Sequence, residues 1–309
     1  MISLNNSTIN KLKCFDLKIL KYLIDSQKNT LNLQIKILEQ ILMLHHTFQF
    51  KGITINYQDE GFGDEVLVLL HGYMNSLKVW QEYVLEYMNK FRVITIDLIG
   101  HGDSECLNED STMELQAEMV KSLLDMLNIK HCVMCGHSMG GMITLAFCEM
   151  YPQMLKGFCL MNSQAMADNE KSKQNRLKAC DLIDEDRIKF IVDFIPNLFA
   201  KENRTKFASE IEDLKEIALS THKEGIIAAQ KGMLKRKDRC SVLLNAQCPI
   251  LFIDGKEDIR IDLDVLYAQA SLCNHSETLV LNTGHMSFIE ANRIVKIRLR
   301  DFTNMCFAL

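Results

Sequence analysis

Short apolar runs alternate with longer segments of helical periodicity from residue 47 to the end of the chain. Continuous or alternating apolar runs predict strands, and apolar residues that recur every three to four positions predict helices. The predicted strands cover 47–50, 53–57, 66–70, 92–96, 131–135, 157–162, 249–253 and 277–281. The predicted helices cover 76–88, 112–127, 139–150, 262–271 and 286–301.

Several predicted strands, including 66–70 and 249–253, are apolar on both faces. A parallel sheet that is covered by helices on each side requires this pattern. The first two strands are joined without a helix, which predicts an antiparallel start. We therefore predict an α/β fold with a mostly parallel central sheet flanked by helices.

The stretch between the sixth and seventh predicted strands holds about 85 residues and no clear strand. It is rich in Lys, Glu and Asp, and Pro196 interrupts it. A structureless loop of this length is uncommon inside a compact domain. We predict a helical cap over 164–245 that folds over the C-terminal edge of the sheet, and a core formed by 43–163 and 246–309.

Residues 1–42 precede the alternating pattern. Their apolar spacing predicts an N-terminal helical extension. An amphipathic helix over 9–25 is indicated by apolar residues at helical spacing, namely Leu12, Phe15, Ile19, Leu20, Leu23 and Ile24. The period over 31–42 is ambiguous. The segment is open to four interpretations: a docking helix, a partner-binding helix, a weakly ordered segment, or a stretch before a true start at Met43.

The composition argues against a nucleic-acid partner, a membrane span and a signal peptide. The formal net charge is −5 over 309 residues and basic residues are scattered, so a nucleic-acid partner is not expected. No segment reaches the ~18 uninterrupted apolar residues of a membrane span, and lysines break the N-terminal apolar runs that a signal peptide needs. Several of the eleven cysteines lie in apolar runs, where cysteine packs as a small hydrophobe. Free thiols predict a cytoplasmic protein.

The chemistry centres on Gly136-His137-Ser138-Met139-Gly140, which follows the apolar run 131–135 and precedes an apolar helix. Gly-x-Ser-x-Gly between a strand and a helix predicts a sharp turn that lifts the Ser138 hydroxyl clear of the sheet. The flanking glycines are needed because a side chain there would collide with the neighbouring strand or helix. Ser138 is therefore the candidate nucleophile.

His285 and Asp258 are the candidate partners of Ser138. His285 follows the last predicted strand and would accept the serine proton, and Asp258 follows strand 249–253 and would orient the imidazole. Asp254 and Glu257 are rivals of Asp258 for this role. The chain order Ser, Asp, His is the one found when a nucleophile elbow carries the serine.

Donors for a developing oxyanion are expected from two backbone N–H groups, those of Tyr73 and Met139. Tyr73 follows His71-Gly72 at the end of strand 66–70. We predict structural roles for His71 and His137, and a tight hydrogen-bonded turn without chemistry over 97–104. No histidine, cysteine or acidic residue shows metal-ligand spacing, so neither a metal nor a cofactor is expected.

With these motifs, residues 47–305 resemble the α/β-hydrolase superfamily, and within it the capped group of serine esterases, enol-lactonases and haloperoxidase-like enzymes. The resemblance implies an α/β-hydrolase fold and a carboxylic-ester or lactone hydrolase without cofactor. Ser138 excludes epoxide hydrolases and haloalkane dehalogenases, whose nucleophile is aspartate. The HGGG loop of the hormone-sensitive-lipase-like branch is absent, and residues 1–42 have no counterpart in the family core.

The sequence thus predicts a serine hydrolase that cleaves a small, largely apolar carboxylic ester or lactone through an acyl-enzyme on Ser138. Two alternatives stay open. The same residues serve carbon–carbon bond hydrolases and lyases, and the same pocket could serve a non-catalytic ligand sensor or partner-binding protein. The sequence does not indicate the oligomeric state.

Overall fold

The structure, a computed structural model, describes residues 45–309. The expectations for 1–42 and for a start at Met43 lie outside the described residues.

An eight-stranded sheet forms the centre of the described part, in the order β1-β2-β4-β3-β5-β6-β7-β8. The strands are β1 (His45–Phe50), β2 (Ile53–Glu60), β3 (Val66–Leu70), β4 (Arg92–Ile96), β5 (Cys132–His137), β6 (Leu155–Met161), β7 (Ile250–Gly255) and β8 (Ser276–Leu281). The β1–β2 and β2–β4 pairs are antiparallel and the remaining pairs are parallel. The predicted sheet and its antiparallel start are confirmed.

Helices cover the sheet and fill the connections between its strands. They are α1 (Gln81–Tyr87), α2 (Met113–Met126), α3 (Met139–Met150), α4 (Glu170–Phe194), α5 (Ala208–Ser220), α6 (Lys223–Leu234), α7 (Cys240–Asn245), α8 (Leu263–Leu272), α9 (Ser287–Glu290) and α10 (Asn292–Ala308). Every residue of the central strand β3 is buried, as a sheet covered on both faces requires. No helix among residues 45–309 combines the length and apolarity needed to cross a membrane.

Two predicted helices differ from the observed ones. The helix predicted over 76–88 begins with a tighter 3-10 turn, Leu77–Trp80, because the carboxylate of Asp97 accepts the Leu77 N–H and holds that turn against the sheet. The helix predicted over 286–301 is broken at Ala291, whose backbone leaves the helical region (φ −127°, ψ 37°). The second part, α10, extends to Ala308 because Phe302 and Cys306 are buried against Gly157 of β6.

Helices α4 to α7 occupy the segment between β6 and β7, where helices were predicted. The segment meets the core through close backbone contacts. A Cβ at Gly225 would lie 1.9 Å from the Gly100 carbonyl oxygen, and one at Gly232 would lie 1.7 Å from that of Ser111. Only glycine allows α6 to approach these two loops so closely. The helical segment therefore packs against the loops that follow β4.

Three histidines, His71, His101 and His137, are buried beneath the carboxyl edge of the sheet. Nδ1 of His71 donates to the Gly72 carbonyl oxygen (2.8 Å) and its Nε2 accepts the Leu98 N–H (3.0 Å), an arrangement that requires a neutral ring. Burial lowers the pKa of His71 to about 4 and the pKa values of His101 and His137 to about 3. All three imidazoles are therefore neutral in the folded protein at neutral pH.

These histidines predict a loss of stability in mild acid. The unfolded chain protonates histidine near pH 6.5, whereas the folded chain resists protonation down to about pH 4 or 3. Between these values the unfolded state binds more protons, so stability falls as pH falls. The free energy of unfolding, measured with urea, is expected to drop by about 2 kcal/mol per buried imidazole between pH 7.5 and pH 5.

The variant His101→Gln tests this expectation, because it removes one of the three rings. The drop between the two pH values should shrink by about 2 kcal/mol relative to the wild-type protein, whatever the variant's stability at pH 7.5. The same substitution at the exposed His131 serves as the control. An undiminished drop in His101→Gln would contradict the explanation.

Candidate active site

Ser138 lies at the turn between β5 and α3 with a strained backbone (φ 52°, ψ −113°). The strand and the helix meet closely at this turn. A Cβ at Gly136 would lie 2.2 Å from the Gly140 carbonyl oxygen, and a Cβ at Gly140 would lie 2.4 Å from that of Leu70. The glycines of Gly-x-Ser-x-Gly are therefore required by packing, and the turn predicted from them is confirmed.

The structure brings Ser138, His285 and Asp258 into one hydrogen-bonded chain. His285 Nε2 lies 2.9 Å from Ser138 Oγ, and His285 Nδ1 lies 2.8 Å from Asp258 Oδ2. His285 and Asp258 are buried and Ser138 is partly exposed. With Nδ1 protonated and bonded to the carboxylate, Nε2 is free to accept the proton of the hydroxyl.

Asp258 receives several hydrogen bonds that favour its ionised form. The backbone N–H groups of Arg260 (2.8 Å) and Ile261 (3.3 Å) donate to Oδ1, and the Asn162 amide donates to Oδ2 (2.9 Å). Burial acts to raise the pKa of Asp258, but the His285 ring and these donors outweigh it and hold the pKa below its ordinary value. The carboxylate is therefore a stable negative charge beside His285.

The two rivals of Asp258 are placed differently. Neither carboxylate oxygen of Asp254 has a hydrogen-bond partner among residues 45–309, and burial, followed by the Asp258 charge, raises its pKa well above the ordinary value. Glu257 is exposed to solvent. Of the three acids, Asp258 is the one that contacts His285.

A buried glutamate, Glu290, holds the loop that carries His285. Its Oε1 accepts the Gly284 N–H (2.8 Å), and its Oε2 accepts the Ala200 N–H (3.1 Å) and the Asn203 amide (2.7 Å). The His285 N–H in turn donates to the Leu198 carbonyl oxygen (2.7 Å). The helical segment between β6 and β7 therefore helps to fix the position of the imidazole.

Sequence reasoning missed both Asn162 and Glu290. Asn162 directly follows β6, the strand next to β5. Its position at that strand end could have indicated a residue of the site. Its backbone is left-handed (φ 47°), a conformation that asparagine tolerates better than most residues. Glu290 offered no such signal, because a glutamate at the end of a predicted helical turn ordinarily lies on the surface.

The two predicted oxyanion donors border Ser138. Met139 is the first residue of α3, and Tyr73 follows Gly72, where an added Cβ would lie 3.3 Å from Ser138 Cβ. Neither the Tyr73 N–H nor the Met139 N–H has a hydrogen-bond acceptor within the described residues. An unpaired N–H pair beside a hydroxyl is available to an oxygen of a bound molecule.

The turn over 97–104 is hydrogen-bonded, and the side chains of His71 and His137 bind backbone groups near the site. The Asp97 carboxylate accepts hydrogen bonds from the N–H groups of Leu77 (2.7 Å) and Asp103 (2.9 Å) and from the Asn56 amide (2.7 Å). His137 donates from Nε2 to the His285 carbonyl oxygen (2.8 Å). Within residues 45–309, no three His, Cys, Asp or Glu side chains cluster as metal ligands would.

Two curated relatives are hydrolases. The (E)-2-((N-methylformamido)methylene)succinate hydrolase of Acinetobacter baylyi is 24% identical over 236 residues, which cover 75% of this chain and 88% of that protein. The 2-hydroxy-6-oxononadienedioate/2-hydroxy-6-oxononatrienedioate hydrolase of Paraburkholderia phymatum is 35% identical over 114 residues, which cover 35% of this chain and 40% of that protein.

Solved structures show the same fold. A thermophilic esterase from Thermogutta terrifontis superposes with a TM-score of 0.80 and 27% identity, over 85% of this chain and 99% of that chain. The enol-lactonase of Burkholderia xenovorans superposes with a TM-score of 0.78 and 21% identity, over 84% of this chain and 100% of that chain. A family model for the alpha/beta hydrolase fold matches residues 65–292. The chain therefore belongs to the α/β-hydrolase fold family.

Proposed function

We propose that the protein is a serine hydrolase that cleaves a small, largely apolar carboxylic ester or lactone. The observation that carries the proposal is the hydrogen bond between Ser138 Oγ and His285 Nε2, made by an imidazole whose Nδ1 contacts the Asp258 carboxylate. Hydroxyl, base and orienting acid in this arrangement are what nucleophilic acyl transfer needs. The similarity to an esterase is consistent with an ester substrate.

In this mechanism Ser138 attacks the substrate carbonyl while His285 takes the hydroxyl proton. The oxygen that becomes negative is held by the N–H groups of Tyr73 and Met139, which lack other acceptors. His285 then protonates the leaving alcohol, or the ring oxygen of a lactone, and leaves an acyl group on Ser138. A water molecule activated by His285 releases the acid and restores the serine.

We further propose that residues 164–245 form a cap over the site, with 43–163 and 246–309 as the core. The contacts of the Leu198–Ala200 stretch with Gly284 and Glu290 support this division, because they bring the segment onto the His285 loop. A cap in this position would exclude bulk water and strengthen the electrostatic contacts in the site. The free thiols of the described cysteines are consistent with action in the cytoplasm.

Labelling with a fluorophosphonate probe tests the proposal directly, because the probe reacts with an activated serine. Wild-type protein is expected to be labelled, and labelling is expected to disappear in both Ser138→Ala and His285→Ala. The exposed His131→Ala variant should label like the wild-type protein. Absence of labelling in folded wild-type protein would favour the ligand-sensor or partner-binding interpretation.

The acid assignment is tested by Asp258→Asn. Loss of the carboxylate removes the charge that stabilises the imidazolium and disturbs the tautomer, so kcat for an activated ester should fall by roughly 10³–10⁴-fold. The matched control is Asp254→Asn, because Asp254 is a buried acid at the end of the preceding strand and makes no hydrogen bond to His285 or to any other described residue. That control should change kcat by less than about threefold. Equal losses in the two variants would contradict the assignment.

A second candidate function is carbon–carbon bond hydrolysis with the same three residues. The similarity to the Paraburkholderia phymatum hydrolase of 2-hydroxy-6-oxononadienedioate favours it. In this case His285 would move a proton onto a carbon of the substrate instead of an alcohol oxygen. The contacts of the three residues are compatible with either reaction.

A substrate panel separates the two reactions. An esterase is expected to hydrolyse short-chain p-nitrophenyl esters at least tenfold faster than a vinylogous 1,5-diketone acid, measured as kcat/KM. The reverse order would support the carbon–carbon hydrolase. Ser138→Ala serves as the blank for both substrates, and turnover that persists in this variant would contradict both.

A further inference from the structure

Two arginines, Arg176 and Arg260, lie close enough to Tyr73 for their charges to act on its hydroxyl, and a third, Arg236, contacts the same aspartate as Arg176. Nε of Arg176 contacts Asp168 Oδ2 (2.5 Å), and Nη1 of Arg236 contacts Asp168 Oδ1 (2.7 Å). One carboxylate thus serves two guanidinium groups. The Nη2 atom of Arg236 is buried and has no hydrogen-bond partner among residues 45–309. We call Arg176, Arg236 and Arg260 the arginine cluster. Together with Asp168, the cluster carries a net positive charge.

Arg260, the third member, makes no ion pair within residues 45–309, although the charge of Asp258 acts on its guanidinium. Its backbone N–H donates to Asp258 Oδ1, so its position is tied to the loop that orients His285. Its side chain is exposed and its Cζ lies 4.6 Å from the centroid of the Phe194 ring. Within the described residues this guanidinium makes neither an ion pair nor a hydrogen bond.

Phe194 contacts both Arg260 and Tyr73, and Tyr73 follows the glycine that packs against Ser138. The Phe194 ring meets the Tyr73 ring edge-on with centroids 6.2 Å apart, and Gly72, the neighbour of Tyr73, lies against Ser138. Burial raises the pKa of the Tyr73 hydroxyl, whereas the charges of Arg176 and Arg260 act in the opposite direction. Both guanidiniums therefore lie within electrostatic range of the residue that borders the expected oxyanion site.

The other nearby acids do not neutralise the charge of the arginine cluster. The Asp258 carboxylate is occupied by His285, by two backbone N–H groups and by the Asn162 amide. Burial, followed by the Asp258 charge, raises the pKa of Asp254 well above its ordinary value, which disfavours its charged form. A guanidinium presents a planar fork of donors that matches a carboxylate. An anionic ligand would give Arg260 the partner that the described chain does not supply.

We propose that the substrate carries a carboxylate in addition to the bond that is cleaved, and that Arg260 binds this carboxylate in front of Phe194. Arg176, whose charge acts on both Arg260 and Tyr73, adds to the positive potential at this place. The inference rests on the proposed hydrolase function and narrows its substrate to an anionic ester or lactone with an apolar middle. Arg260 is then a specificity-determining residue.

The test compares anionic and neutral substrates of matched size. One pair carries the charge on the acyl part (mono-p-nitrophenyl glutarate and p-nitrophenyl pentanoate), and the other carries it on the leaving group (4-carboxyphenyl butyrate and 4-acetylphenyl butyrate). Wild-type protein should prefer the anionic member of at least one pair. The ratio of kcat/KM values, anionic over neutral, should fall about tenfold or more in Arg260→Met, because a charge-assisted contact is lost.

Two further variants sharpen the result. Arg260→Lys keeps the charge but loses the forked geometry, so its ratio should lie between those of the wild-type protein and Arg260→Met. Arg300→Met removes a partly exposed arginine on α10, which contacts Glu86 and Asp301, and should leave the ratio unchanged. A ratio that is the same in the wild-type protein and Arg260→Met for both pairs would overturn the proposal, although hydrolysis itself would stand.

Binding measurements decide the proposal even where turnover is absent. In the Ser138→Ala protein, the anionic esters should bind about tenfold more tightly than the neutral ones by calorimetry, and Ser138→Ala/Arg260→Met should lose this preference. Equal affinities in Ser138→Ala would overturn the carboxylate assignment. Failure of the hydrolase proposal shows itself separately, as missing turnover and missing fluorophosphonate labelling in the folded wild-type protein.

Discussion

The backbone turn at Ser138 is the constraint on which the rest of the site depends. A non-glycine residue at φ 52° is strained by about 1–3 kcal/mol, so the surrounding structure has to hold it. Two contacts do so directly: the Ser138 N–H donates to the Met161 carbonyl oxygen (2.9 Å), and the Ser163 hydroxyl donates to the Ser138 carbonyl oxygen (2.7 Å). Both partners belong to β6 or the residues just after it. The neighbouring strand therefore fixes the nucleophile, and the loops after β7 and β8 are arranged around a rigid point.

Those loops are held by buried polar groups rather than by apolar packing alone. Glu290 anchors the Gly284 N–H, Asn162 bridges Asp258 and the Gly284 carbonyl oxygen, and Asp97 closes the turn after β4. A buried carboxylate is costly unless donors surround it, and the carboxylates of Glu290 and Asp97 both have such donors. This arrangement restricts the imidazole to one position, because a displaced loop would leave several buried donors and acceptors unpaired. Precise placement of His285 and the stability of this edge of the sheet thus have the same physical origin.

The sequence predicted the parts of this arrangement that follow from local rules. The strands could be predicted because their apolar runs are buried on both faces, and the Ser138 turn because two glycines are sterically required there. The contact between His285 and Asp258 followed from their positions after neighbouring strands. Long-range pairings could not be predicted in this way. Glu290 is a helix residue whose partners lie up to 90 residues away, so no local pattern indicates them. The contact between Arg260 and Phe194 is likewise a long-range pairing, because Phe194 lies at the end of a helix about 65 residues earlier in the chain.

The charges around His285 are distributed unequally, and this asymmetry bears on which substrates the site favours. On one side, Asp258 is ionised and fully occupied by donors, so its charge acts mainly on the imidazole. On the other side, Arg176 and Arg260 act on Tyr73, and Asp168 is the acid paired with Arg176 and Arg236, while burial raises the pKa of Asp254 well above its ordinary value. A neutral substrate would leave the exposed Arg260 guanidinium in contact with water and without an anion. An anionic substrate would neutralise it, and the cap that we propose for the helical segment would strengthen the contact by excluding water. Binding energy gained far from the scissile bond would in this way help to position the carbonyl against Ser138.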